Sequence, residues 1–407
     1  MTESEYFRAS LKEITMLKKW FVGILITIVV VFVVTGVYLF SIIESGPDEP
    51  QEAKSIVHQV EFSNHATQAV NWLNSLYQEN NIPSLSVAVG VNGKLVWSGV
   101  IGHADLNKKI LADSETQYRI GSVSKSITAS AVMRMSEKGL IDINAPFKHY
   151  VNDFSAGKTE YTIKQLLTHQ AGIRHYNPGF SELFNSKEYT STREAAAIVE
   201  NDPLLFSPGA GFNYTTYGYT VLSLAMESAY SLPFEQIVVS EVLSPADMTA
   251  THLEKANKGE DEHLAAPYLL MGDTLIDAPD DNVSNKYAGG GYVSTPIDLV
   301  KFGNTLLGND FLSAPAKDVL WTAVPLVNGE MNSESYALGF RVGQDEFGKF
   351  VHHGGKSNGG YSFLIIYPDT GVVIAFASNM APAEGGFDRL EKAKQLARVF
   401  IIESPEK

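Results

Sequence analysis

A chain of 407 residues, 44% apolar and 19% charged, has enough nonpolar surface for one large two-lobed domain or for two domains, which excludes disorder as its main state. Its 46 acidic residues against 31 basic ones, net charge −15, exclude a non-specific nucleic-acid binder, because that binding rests on Lys and Arg neutralising phosphates. The chain has no cysteine, so disulfides, thiolate metal sites, iron–sulfur clusters and thiol nucleophiles are all excluded.

The N-terminal region reads as a membrane tether. Residues 1–19 form a short tail carrying Arg8, Lys12, Lys18 and Lys19. Residues 20–43 contain no charge and are rich in Val, Ile, Leu and Phe. As a helix this stretch spans about 36 Å, enough for a hydrocarbon core of about 30 Å. It is too long for a signal-peptide h-region, and no small-residue cleavage site follows it. The basic residues before it, and the Glu44, Asp48, Glu49 and Glu52 cluster after it, place the N-terminus in the cytoplasm and the rest outside, as a periplasmic or extracellular domain. Residues 44–63 read as an acidic linker and 64–403 as the functional domain.

Beyond the linker, Ala66, Val70, Leu73 and Tyr77 mark a helix that Pro83 stops. Leu85 to Val91 and Leu95 to Val100 read as strands joined by Asn92-Gly93, a hairpin turn. Ile127, Val132, Met135 and Leu140 mark a second helix, ending near Gly139. The middle of the chain mixes helical patterns with polar loops. Late strands follow at 349–353, 362–367 and 371–378, and a last helix runs over 387–402. Strands from both ends with helices between them predict a two-lobed α+β architecture with a cleft between the lobes.

Several short motifs fail on context. Gly355-Lys-Ser-Asn-Gly359 fits G-x-S-x-G but lacks the following helix that a nucleophile elbow needs. Gly343 through Lys349 nearly matches a phosphate loop, but Phe350 stands where a hydroxyl must hold magnesium. No H-E-x-x-H pair exists, and the adjacent His352 and His353 point to opposite sides of a strand, so no metal site is predicted. S-x-x-K occurs at Ser122–Lys125, Ser155–Lys158 and Ser404–Lys407. Only Ser122 opens a helix, where positions i and i+3 share one face and Lys125 can reach the Ser122 hydroxyl. A serine needs such a base to act as a nucleophile, and the helix N-terminus adds positive potential for an oxyanion. The plainer role for Ser122 is a helix cap.

Two further elements favour chemistry: Tyr214-Thr215-Thr216 ahead of a helical run from Tyr219 to Ala229, and His353-Gly354-Gly355 on a late strand. In this order the three elements resemble the serine β-lactamase and penicillin-binding protein family of the class C type, with its S-x-x-K, Y-x-N and K-T-G. Tyr161 to Ile173, Ser207 to Tyr219, Ala288 to Gly303 and Ser362 to Asn379 look like other segments of that family, so the likeness covers roughly 64 to 402.

The resemblance implies an antiparallel sheet flanked by helices, with a helical lobe beside it. It implies no cofactor. It assigns Ser122 as the acyl-accepting nucleophile, Lys125 as base and Tyr214 as proton relay. Thr216, His353, Gly355 and Lys356 would line the substrate and oxyanion site, the amides of Ser122 and Lys356 forming the oxyanion hole. Thr216 and His353 depart from the usual Asn and Lys. Thr reaches less far than Asn, and a mostly neutral His attracts a substrate carboxylate less than Lys does. The Y-x-T and H-x-G pair is similar to mitochondrial serine β-lactamase-like proteases and their bacterial relatives. The expected partner is a small peptide, ester or β-lactam. The leading function is a membrane-anchored peptide or amide hydrolase. Esterase, β-lactamase or D-Ala-D-Ala carboxypeptidase action and a non-catalytic binding or assembly role are the alternatives, and oligomerisation is compatible with all of them.

Overall fold

The computed structural model describes residues 20, 43–44, 51–155, 160–177, 182, 184–255 and 263–401. The predicted spanning segment lies outside the described residues apart from its ends, Trp20 and Ile43. Among the described residues, no helix is long and apolar enough to cross a membrane. Lys158 and the Ser404–Lys407 pair also lie outside them.

A mixed-origin antiparallel sheet forms the body. Its strands are β2 (Lys54–Val57), β3 (Ser84–Val91), β4 (Lys94–Asp105), β11 (Arg341–Asp345), β12 (Gly348–Ser357), β13 (Gly360–Tyr367) and β14 (Val372–Ser378). They lie in the order β11-β12-β13-β14-β3-β4-β2, with β5 (Ile110–Leu111) paired to β4. The first and last thirds of the chain therefore share one sheet, through β14 and β3. Strand β2 falls inside the stretch read as a linker, where Ile56 and Val57 supply the β-branched residues of an exposed edge strand.

Strands β13 and β14 are buried throughout, and apolar but for Ser362 and Ser378 and the glycine that opens β13, because both faces are covered. Phe363, Ile365, Tyr367, Ile374 and Phe376 pack under α1 (Ser63–Glu79) and α10 (Arg389–Phe400). The alternate residues Leu364, Ile366, Val373 and Ala375 join a second core with the helical lobe. That lobe contains α2 (Ser124–Glu137), α3 (Ile163–Leu167), α4 (Thr192–Ala196), α5 (Thr216–Tyr230), α6 (Phe234–Val238), α7 (Tyr287–Gly290), α8 (Pro296–Leu307) and α9 (Ala314–Leu320). Helix α8 lies against β3 and β14 and joins the lobe to the sheet.

Two small sheets complete the fold. In one, β10 (Tyr292–Ser294) lies between β6 (Tyr118–Arg119) and β7 (His252–Leu253). In the other, β1 (Ile43–Glu44), β9 (Thr274–Asp277), β8 (Tyr268–Met271) and β15 (Met380–Pro382) are neighbours. The α+β architecture agrees with the sequence reading.

Candidate active site

Ser122 sits in a single 3₁₀ turn, Gly121–Val123, that leads from β6 into α2. It does not cap the helix: Val123 occupies the N-cap position, and no side chain makes a cap bond there. Gly121 turns the chain with φ of 48°, a left-handed value that suits glycine. A β-carbon on Gly121 would lie 2.8 Å from the Lys356 amide nitrogen. A β-carbon on Gly355 would lie 1.8 Å from the Ile120 carbonyl oxygen, a collision, so position 355 must be glycine. The Ser362 hydroxyl donates to that same carbonyl at 2.7 Å. The Ser122 turn and the end of β12 thus touch backbone to backbone, Gly121 against Lys356 and Gly355 against Ile120. The Lys356 side chain points away and is exposed, its Nζ donating to the Ala383 carbonyl at 3.2 Å.

Lys125 is fully buried on the first turn of α2. Its Nζ lies 3.2 Å from Ser122 Oγ, 3.2 Å from Thr216 Oγ1 and 2.6 Å from the Gly289 carbonyl oxygen. None of these partners is a carboxylate. Burial pushes the Lys125 ammonium well below the ordinary lysine value, and the nearby Arg341 charge pushes it further. A neutral amine satisfies the geometry well. Two N–H groups donate to Gly289 and Thr216, leaving the lone pair for the Ser122 hydroxyl proton. Thr216 therefore faces the lysine, at the start of α5.

Tyr214 stands just before α5, whose N-cap Thr215 accepts from the Gly218 amide. The neighbouring Ser122 hydroxyl pulls the titration of its phenol down. Lys125 Nζ lies 4.8 Å from its ring centre. Burial pushes the Tyr214 hydroxyl up to about 12, with Arg341 pulling the other way, so it keeps its proton at neutral pH.

His353 is buried on the cleft face of β12. Its Nδ1 lies 2.8 Å from the Gly354 carbonyl, which only accepts, so Nδ1 carries the proton and Nε2 accepts from Tyr336 Oη at 3.0 Å. Burial, with the charge of Arg341, holds it well below the usual histidine range. His352 faces the other way and stacks on Phe363 at 5.4 Å, as the strand alternation predicts.

Four contributors carried no sequence signal of their own. Arg341, at the start of β11, points a guanidinium nitrogen 3.5 Å from His353 Nε2 and lies 5.3 Å from the Tyr214 ring centre. It is paired with Glu334. A cation thus returns, from another strand, to the place where the K-T-G lysine is missing. The His169 and His175 Nδ1 atoms accept from the backbone amides of Thr215 and Thr216 at 3.2 and 3.3 Å, clamping the tyrosine segment. The Gly289 carbonyl holds Lys125. Both histidines lie near recognisable segments, but which atom each holds depends on folding.

These histidines make an acid-stability prediction. Burial lowers both His169 and His353 in the folded protein, from an unfolded value near 6.5. The unfolded chain therefore binds more protons below pH 6.5. The contribution to stability is intact above 6.5 and is lost as pH falls, at about 1.4 kcal/mol per pH unit for each histidine. Melting temperature will drop between pH 7 and pH 5.5, and a flat profile would contradict the neutral assignment.

The sequence profile of the β-lactamase family matches residues 64–398. The chain belongs to the β-lactamase family. It is a serine hydrolase of that family. It is 26% identical over 389 residues to the human mitochondrial serine beta-lactamase-like protein LACTB, covering 73% of this chain and 71% of that one. It is also 26% identical over 313 residues to protein flp of Staphylococcus aureus strain MRSA252, covering 74% of this chain and 60% of that protein. The D-amino acid amidase of Ochrobactrum anthropi SV3 superposes with a TM-score of 0.70 at 20% identity, over 83% of this chain and 99% of that one. The octameric penicillin-binding protein homologue of Pyrococcus abyssi superposes with a TM-score of 0.68 at 21% identity, over 84% and 77%.

Proposed function

We propose that this protein hydrolyses amide or peptide bonds through an acyl-enzyme on Ser122. The observation that carries this is the burial of Lys125 with no carboxylate partner among the described residues, its amine meeting the Ser122 hydroxyl beside the protonated phenol of Tyr214. Ser122 Oγ attacks the carbonyl carbon and its proton passes to Lys125. The amides of Ser122 and Lys356 receive the oxyanion, a contribution of about 10²–10³ in rate per donor. The C–N bond breaks as Tyr214 gives its proton to the leaving nitrogen, and the proton on Lys125 replaces it. Water then attacks the ester under the same base, releasing acid and free serine. An amide leaving group needs this protonation, and an ester needs it less. The neutral phenol of Tyr214 is therefore the feature that favours amides.

Arg341 points to substrates with a carboxylate near the scissile bond. Arg341→Gln will raise KM for such a substrate roughly 10- to 100-fold, since a charge-assisted hydrogen bond contributes about 1.5–3 kcal/mol. KM for the matching uncharged analogue will change far less. An equal change for both would show that Arg341 does not read the carboxylate.

The reading as a whole is tested by a fluorophosphonate label and mass mapping, followed by matched amide and ester substrates. A Ser122 adduct with amide turnover supports it. An adduct with ester turnover alone makes the protein an esterase, and no adduct on folded protein makes it a binding protein on this fold. The uncharged stretch 20–43, flanked by basic residues on one side and acidic ones on the other, supports a membrane tether with the hydrolase domain outside. Release of the full chain from membranes by alkaline carbonate would remove the tether.

A further inference from the structure

Three segments supply the site from different parts of the chain: the Ser122 turn, the end of β12 with the Lys356 amide, and α7 with the Gly289 carbonyl. One buried side chain is bonded toward all three. Arg119, three residues before Ser122, sends Nε and Nη2 to the Glu254 carboxylate at 2.7 and 2.6 Å. Its Nη1 donates to the Asn358 carbonyl at 2.6 Å, in the turn just after Lys356. Glu254 in turn donates its backbone amide to the Gly291 carbonyl at 2.9 Å, next to the glycines of α7. Asp281 pairs with Arg119 at 2.7 Å and with Lys286 at 3.6 Å, so two acids and two bases balance. All four side chains are at most 4% exposed.

A buried ion cluster is not itself evidence of stability, since apolar residues of similar volume often serve as well. What the apolar alternative lacks is direction. A planar guanidinium with a bidentate partner fixes angle as well as distance. Asn358 O and Glu254 occupy different N–H groups of one rigid fork, so the nucleophile turn cannot shift without moving the oxyanion strand. The backbone bond from Glu254 extends the constraint to the peptide that orients Lys125.

We propose that Arg119 is a positioning residue that sets the mutual placement of Ser122, the Lys356 amide and the Gly289 carbonyl. This rests on the acyl-enzyme reading above. It acts on the chemical step, so its signature is a slower acylation in correctly folded enzyme with substrate binding little changed.

The test measures single-turnover acylation in the full chain, with the active fraction counted by fluorophosphonate titration. Labelling of wild-type Ser122 checks the acyl-enzyme reading first and separately. Arg119→Lys keeps the charge and loses the fork. It will lower the acylation rate constant per labelled site roughly 10- to 100-fold, the scale of an ångström of misplacement. KM will stay within about twofold. Glu254→Gln keeps shape and most contacts, and will lower the same rate constant even if Arg119→Lys fails to fold. The double variant will be no slower than the worse single one, because both break one unit. A wild-type rate constant per labelled site in either folded variant would overturn the proposal. So would a loss explained wholly by fewer labelled sites, or full additivity in the double variant.

Discussion

Ser122→Ala will abolish turnover while the protein melts within a few degrees of the wild type. The catalytic loss is that of a nucleophile, roughly 10⁴–10⁶ in kcat where such residues act as a unit with their base. The stability loss is small because the hydroxyl holds up no structure. Helix α2 starts without a side-chain cap, and the neighbouring Ser124 hydroxyl ties down the turn by donating to the Gly121 carbonyl at 2.5 Å. Losing the Ser122 hydroxyl removes one hydrogen bond, about 0.5–1.5 kcal/mol. Lys125 keeps Gly289 and Thr216. Steady-state turnover, thermal denaturation and fluorophosphonate labelling check the prediction together. Turnover within about tenfold of wild type would remove Ser122 from the mechanism.

Lys125→Met will lower kcat/KM by roughly 10²–10⁴, the usual range for a general base. It will also erase a limb of the pH–rate profile. The Lys125 ammonium titrates well below an ordinary lysine, so the free base, and with it the rate, grows as pH rises through that lowered value. The Tyr214 hydroxyl, pushed up to about 12, does not ionise in this range. Tyr214→Phe will therefore slow turnover but leave the limb in place. The stability effect has the opposite sign to the catalytic one. The folded chain holds the Lys125 proton less tightly than the unfolded chain, so folding carries a proton-linked cost below pH 10.5. Methionine fills similar space without that cost, and the variant will melt at or above the wild-type temperature. A limb that survives in Lys125→Met would assign the base elsewhere.

The sheet was legible from sequence because its strands obey a simple physical rule. Strands β13 and β14 carry apolar runs with turn residues between them, and the Asn92-Gly93 turn joins β3 to β4. The helices α1 and α10 were legible from their apolar spacing, which puts Ala66, Leu73, Tyr77, Leu396 and Phe400 on buried faces. Strand β2 was not, because Lys54–Val57 is short, exposed and set among acids. The S-x-x-K pair was legible because a contact across one helical turn needs only local geometry. The oxyanion strand was legible only by its glycines.

Arg341 shows the limit. Nothing around position 341 marks it, and its approach to His353 depends on a hairpin register, Arg341 opposite His352, and on the path of the chain through Tyr336. The reading of a weakened carboxylate site followed from His353 alone, and Arg341, twelve residues upstream and paired with Glu334, adds a guanidinium beside that histidine. The same holds for Thr216, whose hydroxyl meets Lys125.

The amino-acid sequence by itself determined the Ser122–Lys125 pair on one helical turn, the tyrosine that follows, the glycine-bearing strand and the charge asymmetry around residues 20–43. Each of these is a short-range pattern, set by helical spacing, by φ requirements or by composition. Tertiary structure decided which protonation states they hold. It buried Lys125 with no carboxylate partner among the described residues, closed the Gly121 and Gly355 backbones on Lys356 and Ile120, brought Arg341 beside His353 and tied the three site segments through Arg119. Desolvation and close backbone approach are properties of the whole packed chain, and no local pattern encodes them.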